Sequence, residues 1–195
     1  MNRLLPMLLA AALLPACSVS QRAADEAAGY RFRRDVKVSP TAAVNAGHWD
    51  VPAGLSGEHV IVVDTNLQIA KYYIAGQQVG WSNVSSGKAG HGTPSGTFKV
   101  LAKDADHKSS TYGSVVDAAG NTLIADYTAG QPMPAGGIYK GAEMNNALQI
   151  TNTGIWMHEG IVTGATESHG CIRLPKDMAK IFYDNTPVGS TIIIK

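Results

Sequence analysis

The chain has 195 residues, of which 45% are hydrophobic and 16% charged, with 21 glycines; that is one globular unit plus additional segments, tilted toward turns and short strands. Sixteen Lys and Arg against fifteen Asp and Glu give a net charge of +1, so no single-sign field exists to hold a polyanion, which argues against nucleic-acid binding. A neutral or zwitterionic partner suits this balance better.

Arg3 precedes the apolar run from Leu4 to Leu14, which is too short to span a bilayer as a stable helix and reads as an export signal. The run ends in Leu14-Pro15-Ala16-Cys17, which resembles the lipobox of bacterial lipoproteins, where the peptide is cut before a cysteine that is then acylated. The expectation is a signal segment over residues 1–16, a lipid on Cys17 as membrane anchor, and a place in the cell envelope, in the periplasm. The plainer alternative is cleavage after Ala16 with an incidental cysteine. Residues 17–56 are rich in Ala, Arg, Ser and Pro without a sustained period and read as a tether. The folded domain is expected over 57–195.

Within it, Val60–Val63, Gln68–Ile74, Gln78–Val84 and Thr97–Ala102 are short β-prone runs, punctuated by Asp64-Thr65-Asn66, Ala75-Gly76-Gln77 and a Gly-rich stretch; they predict consecutive antiparallel strands. The segments holding Lys103–Lys108, His91, His107 and Tyr112 are polar and read as loops. Gly87-Lys88 lacks the strand-to-helix context of a phosphate loop, and Pro94 disfavours one. Leu148–Thr151 and Gly154–His158 predict further strands. Pro175 suits the first position of a helix with Met178, Ile181 and Phe182 on one face and Pro187 as its stop. Ser190–Ile194 predicts a final strand, so the domain is expected to be mainly β. Carboxylate pairs do not stand out, which argues against glycoside hydrolysis.

The chain has two cysteines. If Cys17 carries lipid, Cys171 is left unpaired in an oxidising compartment, where a free thiol needs a reason to persist. In Ser168-His169-Gly170-Cys171-Ile172-Arg173 it follows a glycine and adjoins an imidazole and a guanidinium. Cationic neighbours lower a thiol's pKa and enrich the reactive thiolate, so Cys171 is expected to be a nucleophile; the bland alternative is a buried, inert thiol. Upstream, the apolar run Ile155-Trp156-Met157 ends in His158, the candidate base.

His158-Glu159-Gly160 followed by Ser168-His169-Gly170-Cys171-Ile172-Arg173-Leu174-Pro175 resembles the catalytic signature of the L,D-transpeptidases, the YkuD-type cysteine enzymes of bacterial peptidoglycan. Gly92-Thr93-Pro94-Ser95-Gly96-Thr97-Phe98 resembles the Gly-Thr-Pro-Thr-Gly-x-Phe segment of the same family, with Ser95 replacing Thr. The similarity runs from about Glu58 to Ile194. The resemblance implies a β-sandwich-like or barrel-like fold with a short helix behind the cysteine turn, and peptidoglycan stem peptides as partners. It implies that Cys171 forms a thioester while His158 exchanges its proton, oriented by a nearby backbone carbonyl such as that of Glu159. In family terms His169 and Gly170, with Ser168, shape the turn and help place oxyanion-binding amides, and Arg173 organises the site or meets a substrate carboxylate. An amine acceptor makes the enzyme a transpeptidase, and water makes it an L,D-carboxypeptidase. No cofactor or metal is expected. The rival readings are a zinc site built from His158, His169 and Cys171, and a catalytically inactive wall-binding lipoprotein. Met144-Asn145-Asn146-Ala147-Leu148 departs from the family, where a Met-Pro and an aromatic run are expected.

Overall fold

The computed structural model describes residues 44–195. The proposed signal segment, Cys17 and residues 17–43 of the tether lie outside the described residues. Within them the fold is mainly β, built from two sheets and a short helix.

The first sheet holds β1 (Gly47–Trp49), β2 (His59–Asp64), β3 (Ile69–Ile74), β4 (Gln77–Asn83), β5 (Gly96–Lys99) and β11 (Thr191–Ile194), in the order β1-β4-β3-β2-β11-β5. As the turn signals predict, β2, β3 and β4 are consecutive antiparallel neighbours. The last strand returns between β2 and β5, parallel to the first and antiparallel to the second. Residues 47–49, expected in the tether, instead pair with β4. Trp49 packs edge-on to Tyr72 at 4.9 Å and against Phe182 at 6.1 Å. The physical reason is burial: an indole that covers two core rings is held by the domain, whatever the polarity of its neighbours.

The second sheet holds β6 (Ala102–Val116), β7 (Thr122–Thr128), β8 (Ile138–Gln149), β9 (Trp156–Glu159) and β10 (Ile172–Leu174), in the order β10-β9-β8-β6-β7. The strand expected over Thr97–Ala102 divides at Val100 and Leu101. The Val100 amide donates to Ser190 O, just before β11 of the first sheet, and the Leu101 amide to Gln149 O in the second, so the chain changes sheets there. The Lys103–Lys108 segment, His107 and Tyr112, read as loops, lie in β6. Most residues of that strand are exposed or half-buried, so it carries no apolar alternation by which to announce itself.

The core lies between the sheets. Ile61, Val63 and Tyr72 of the first meet Leu148, Met157, Ile172 and Leu174 of the second, and α1 (Lys176–Asn185) closes the end with Met178, Ala179 and Phe182. Helix α1 stops where Thr186 turns extended before Pro187, a residue that disfavours helical backbone at the position preceding it. The Tyr72 hydroxyl donates to Asn185 O at 2.6 Å, which ties the end of α1 to β3.

Candidate active site

Strand alternation builds the site. Met157, Ile172 and Leu174 are fully buried in the core. Their neighbours Trp156, His158, Cys171 and Arg173 therefore fall on the opposite face. Strands β9 and β10 run parallel, with Arg173 beside His158. All four face residues line one cavity of about 510 Å³.

His158 is 6% exposed, and its Nδ1 lies 2.6 Å from the Glu159 carbonyl oxygen. A carbonyl only accepts, so Nδ1 carries the hydrogen and, in the neutral ring, Nε2 is left bare as a proton acceptor. Burial pushes the imidazole down to about 4; the Glu159 carbonyl opposes this, while Arg173 and His107 add to it. The Cys171 thiol donates to Gly154 O at 3.7 Å. Burial pushes this thiol up, against smaller lowering influences from the Trp156 amide and Arg173. The expected lowering by cationic neighbours is thus overturned, because removing water from the sulfur outweighs one guanidinium. At neutral pH the cavity therefore presents a thiol and a neutral imidazole.

The turn before Cys171 is internally braced. Ser168 is 1% exposed; its hydroxyl donates to Cys171 O at 2.5 Å and accepts from the Gly170 amide at 3.1 Å. The Gly170 N–H is thus engaged within the turn. His169, expected beside the sulfur, stacks on Tyr112 at 4.2 Å and meets His91 edge-on at 5.0 Å. Its imidazole is lowered by burial first, then by Lys88 and His91. A second cavity of about 470 Å³ adjoins the main one, and Tyr112, Glu143, His169 and Arg173 line both.

The Gly-rich stretch is a strap for this turn. Thr93 Oγ1 accepts from the Gly87 amide at 2.8 Å and donates to Gly170 O at 2.9 Å. A Cβ on Gly87 would sit 2.1 Å from His91 O, so only glycine lets the strap cross there. Gly160 plays a similar part: its absent Cβ leaves room for the Arg173 stem, whose atoms would otherwise lie at 2.9 to 3.1 Å.

Gly154, Trp156, Asp104, Thr93 and the Ser109–Tyr112 bulge escaped the sequence reading as site residues. One signal was available: Trp156 and His158 are two apart in a strand and share a face. Among the described residues, no group of three or more His, Cys, Asp or Glu is placed to hold a metal ion, so His158, His169 and Cys171 are not gathered as a ligand set.

The family profile of the L,D-transpeptidase catalytic domain, YkuD, matches residues 58–194. The chain belongs to the L,D-transpeptidase catalytic-domain family. A solved L,D-transpeptidase from Mycobacterium smegmatis is 28% identical with a TM-score of 0.54, over 71% of this chain and 59% of that one. L,D-transpeptidase 3 from Mycobacterium tuberculosis, in complex with a faropenem-derived adduct, is 20% identical with a TM-score of 0.52, over 70% and 60%. An L,D-transpeptidase from Enterococcus faecium is 23% identical with a TM-score of 0.53, over 72% and 50%. The chain thus spans half to three-fifths of these structures. No curated protein matches it in sequence.

Proposed function

We propose that this family member is a peptidoglycan L,D-transpeptidase that transfers an acyl group from a tetrapeptide stem through a thioester on Cys171. The observation that carries the reading is the neutral pair itself: Cys171 and His158 open into one cavity, and His158 presents a bare Nε2 because its Nδ1 is held by Glu159 O. As Sγ attacks the carbonyl of the third stem residue, its proton passes to Nε2, which coordinates charge separation with bond formation. The tetrahedral intermediate collapses, the C–N bond breaks, and Nε2 returns the proton to the departing D-amino acid. An amine of a second stem or of a protein then attacks the thioester and Cys171 leaves as the thiol. Arg173, at the wall of both cavities, suits a substrate carboxylate. His169 and Ser168 act as supports of the cysteine turn.

The domain is assigned to the envelope, held to a membrane by a lipid on Cys17, on the strength of Leu14-Pro15-Ala16-Cys17. Cys17→Ala should release the protein from membranes.

The test is intact-mass analysis after incubation with disaccharide-tetrapeptide, and separately with faropenem, which forms an adduct in a solved relative. A mass increase on the wild type that disappears in Cys171→Ala is expected. A dimeric product marks an amine acceptor and a trimmed stem marks water. No adduct with either reagent would overturn the assignment.

A further inference from the structure

Besides His158 and His169, a third imidazole faces the cavity. His107 of β6 lines it together with Cys171 and His158, and its ring stacks on Trp156 with centroids 4.0 Å apart and planes at 25°. Trp156 is the residue whose backbone amide acts on the Cys171 sulfur. On its other side, His107 Nδ1 lies 3.0 Å from Asp104 Oδ2. A carboxylate accepts, so Nδ1–H donates to it and the neutral ring presents a bare Nε2. Two oriented imidazoles thus share one chamber, one fixed by a carbonyl and one by a carboxylate. Burial in the fold accounts for His158, but His107 is partly exposed, with 24% of its side chain accessible, and packing alone gives no reason for an oriented base there.

The proton balance of the reaction gives one. Resting on the transpeptidase reading, the thioester meets an amine that at neutral pH is an ammonium, since alkyl amines titrate well above 7. The step is R–NH3+ plus Enz–S–C(=O)R′ giving R–NH–C(=O)R′, Enz–SH and H+. Two protons leave the nitrogen: one ends on Sγ by way of His158, and the other must go before attack, when the nitrogen lone pair is occupied. We propose that His107 is a second acid–base residue of the reaction, taking that first proton from the incoming ammonium and passing it to solvent. Asp104 stabilises the imidazolium that forms, and Trp156 holds the ring plane. Lys108 and Tyr112 on β6, Glu143 on β8, His158 and Glu159 on β9, His169 and Cys171 of the cysteine turn, and Arg173 on β10 are the other ionisable groups around the chamber.

The experiment uses the full chain loaded with disaccharide-tetrapeptide, and compares thioester resolution by two acceptors at pH 7. One is the side-chain ammonium of a second disaccharide-tetrapeptide; the other is hydroxylamine, a free base at that pH that has no first proton to lose. In His107→Gln the ratio of the two rates, ammonium over hydroxylamine, should fall about 100-fold, the lower end of the range for one acid–base group. Asp104→Asn should shift the ratio in the same direction by less. The ratio is internal to each protein, so a variant that merely perturbs the fold slows both acceptors and leaves it unchanged. An unchanged ratio in both variants overturns the role of His107 while leaving the transpeptidase reading intact. Failure of the wild type to load overturns that reading, and this inference with it.

Discussion

The two sheets solve opposite problems with the same backbone pattern. In the first, β2 and β11 are buried along almost their whole length, with Ile61, Val63, Ile192 and Ile194 at 2% exposure or less, and side chains serve only to exclude water. In the second, β9 and β10 bury one face and give the other to chemistry, while β6, β7 and the start of β8 extend with much of their surface in solvent. A substitution in the first sheet or under α1 should therefore remove fold and activity together, and one on the cavity face should remove activity alone.

The sharpest test of that division is Cys171→Ala. Adduct formation should fall by about 10⁴-fold or more while the thermal midpoint stays near that of the wild type. A variant that turned over normally would sink the assignment of the nucleophile. His158→Gln should cost about 10²- to 10⁴-fold in acylation rate, read as the rate of faropenem adduct formation. The wild-type rate should hold as pH falls through 6.5 and drop only around pH 4, where the buried imidazole takes up its proton; a limb at 6.5 would show that His158 is not the group being titrated. Stability follows the same group. In the unfolded chain an ordinary histidine binds its proton at 6.5, before the folded His158 does at about 4. Its contribution is therefore whole above pH 6.5, is lost as pH falls from 6.5 toward 4, and is level below that. Cys171 acts at the other end: the unfolded thiol ionises first, so stability declines as pH rises past 9, and denaturant midpoints across the range read both.

On the other side of the division, Phe182→Ala should cost about 3 to 5 kcal/mol of unfolding free energy, because the ring is 1% exposed and packs on Tyr72 and Trp49. Urea titration measures it, and activity should vanish only where the fold does. Smallest is Thr93→Val, which removes the hydroxyl linking Gly87 and Gly170. It should cost about 1 to 2 kcal/mol and loosen the cysteine turn, which a faster rate of Cys171 alkylation by iodoacetamide would report.

The same contrast explains what could be read from the chain. Val60–Val63, Gln68–Ile74 and Ser190–Ile194 declare themselves because a strand buried in the core must be apolar, and β2, β3 and β11 lie there. The cysteine turn declares itself because its residue types are chemical and close in sequence. Strand β6 did not, since Lys103-Asp104-Ala105-Asp106-His107-Lys108 pairs with β8 while facing water, and backbone pairing leaves no trace in polar side chains. His107 was lost with it.

Sequence alone announced β2, β3, β4 and β11 of the first sheet and the helix after Pro175, and it singled out His158 and Cys171, on which the proposed chemistry rests; each depends on local pattern or on short spacing. Tertiary structure decided the rest. It set the ionisation of the thiol and imidazole, because desolvation is a property of everything packed around a group and of no neighbour in sequence. It also brought His107, backed by Asp104, and Trp156 to the cavity that holds Cys171, because strand pairing joins residues tens of positions apart and only the closed fold fixes which ones meet.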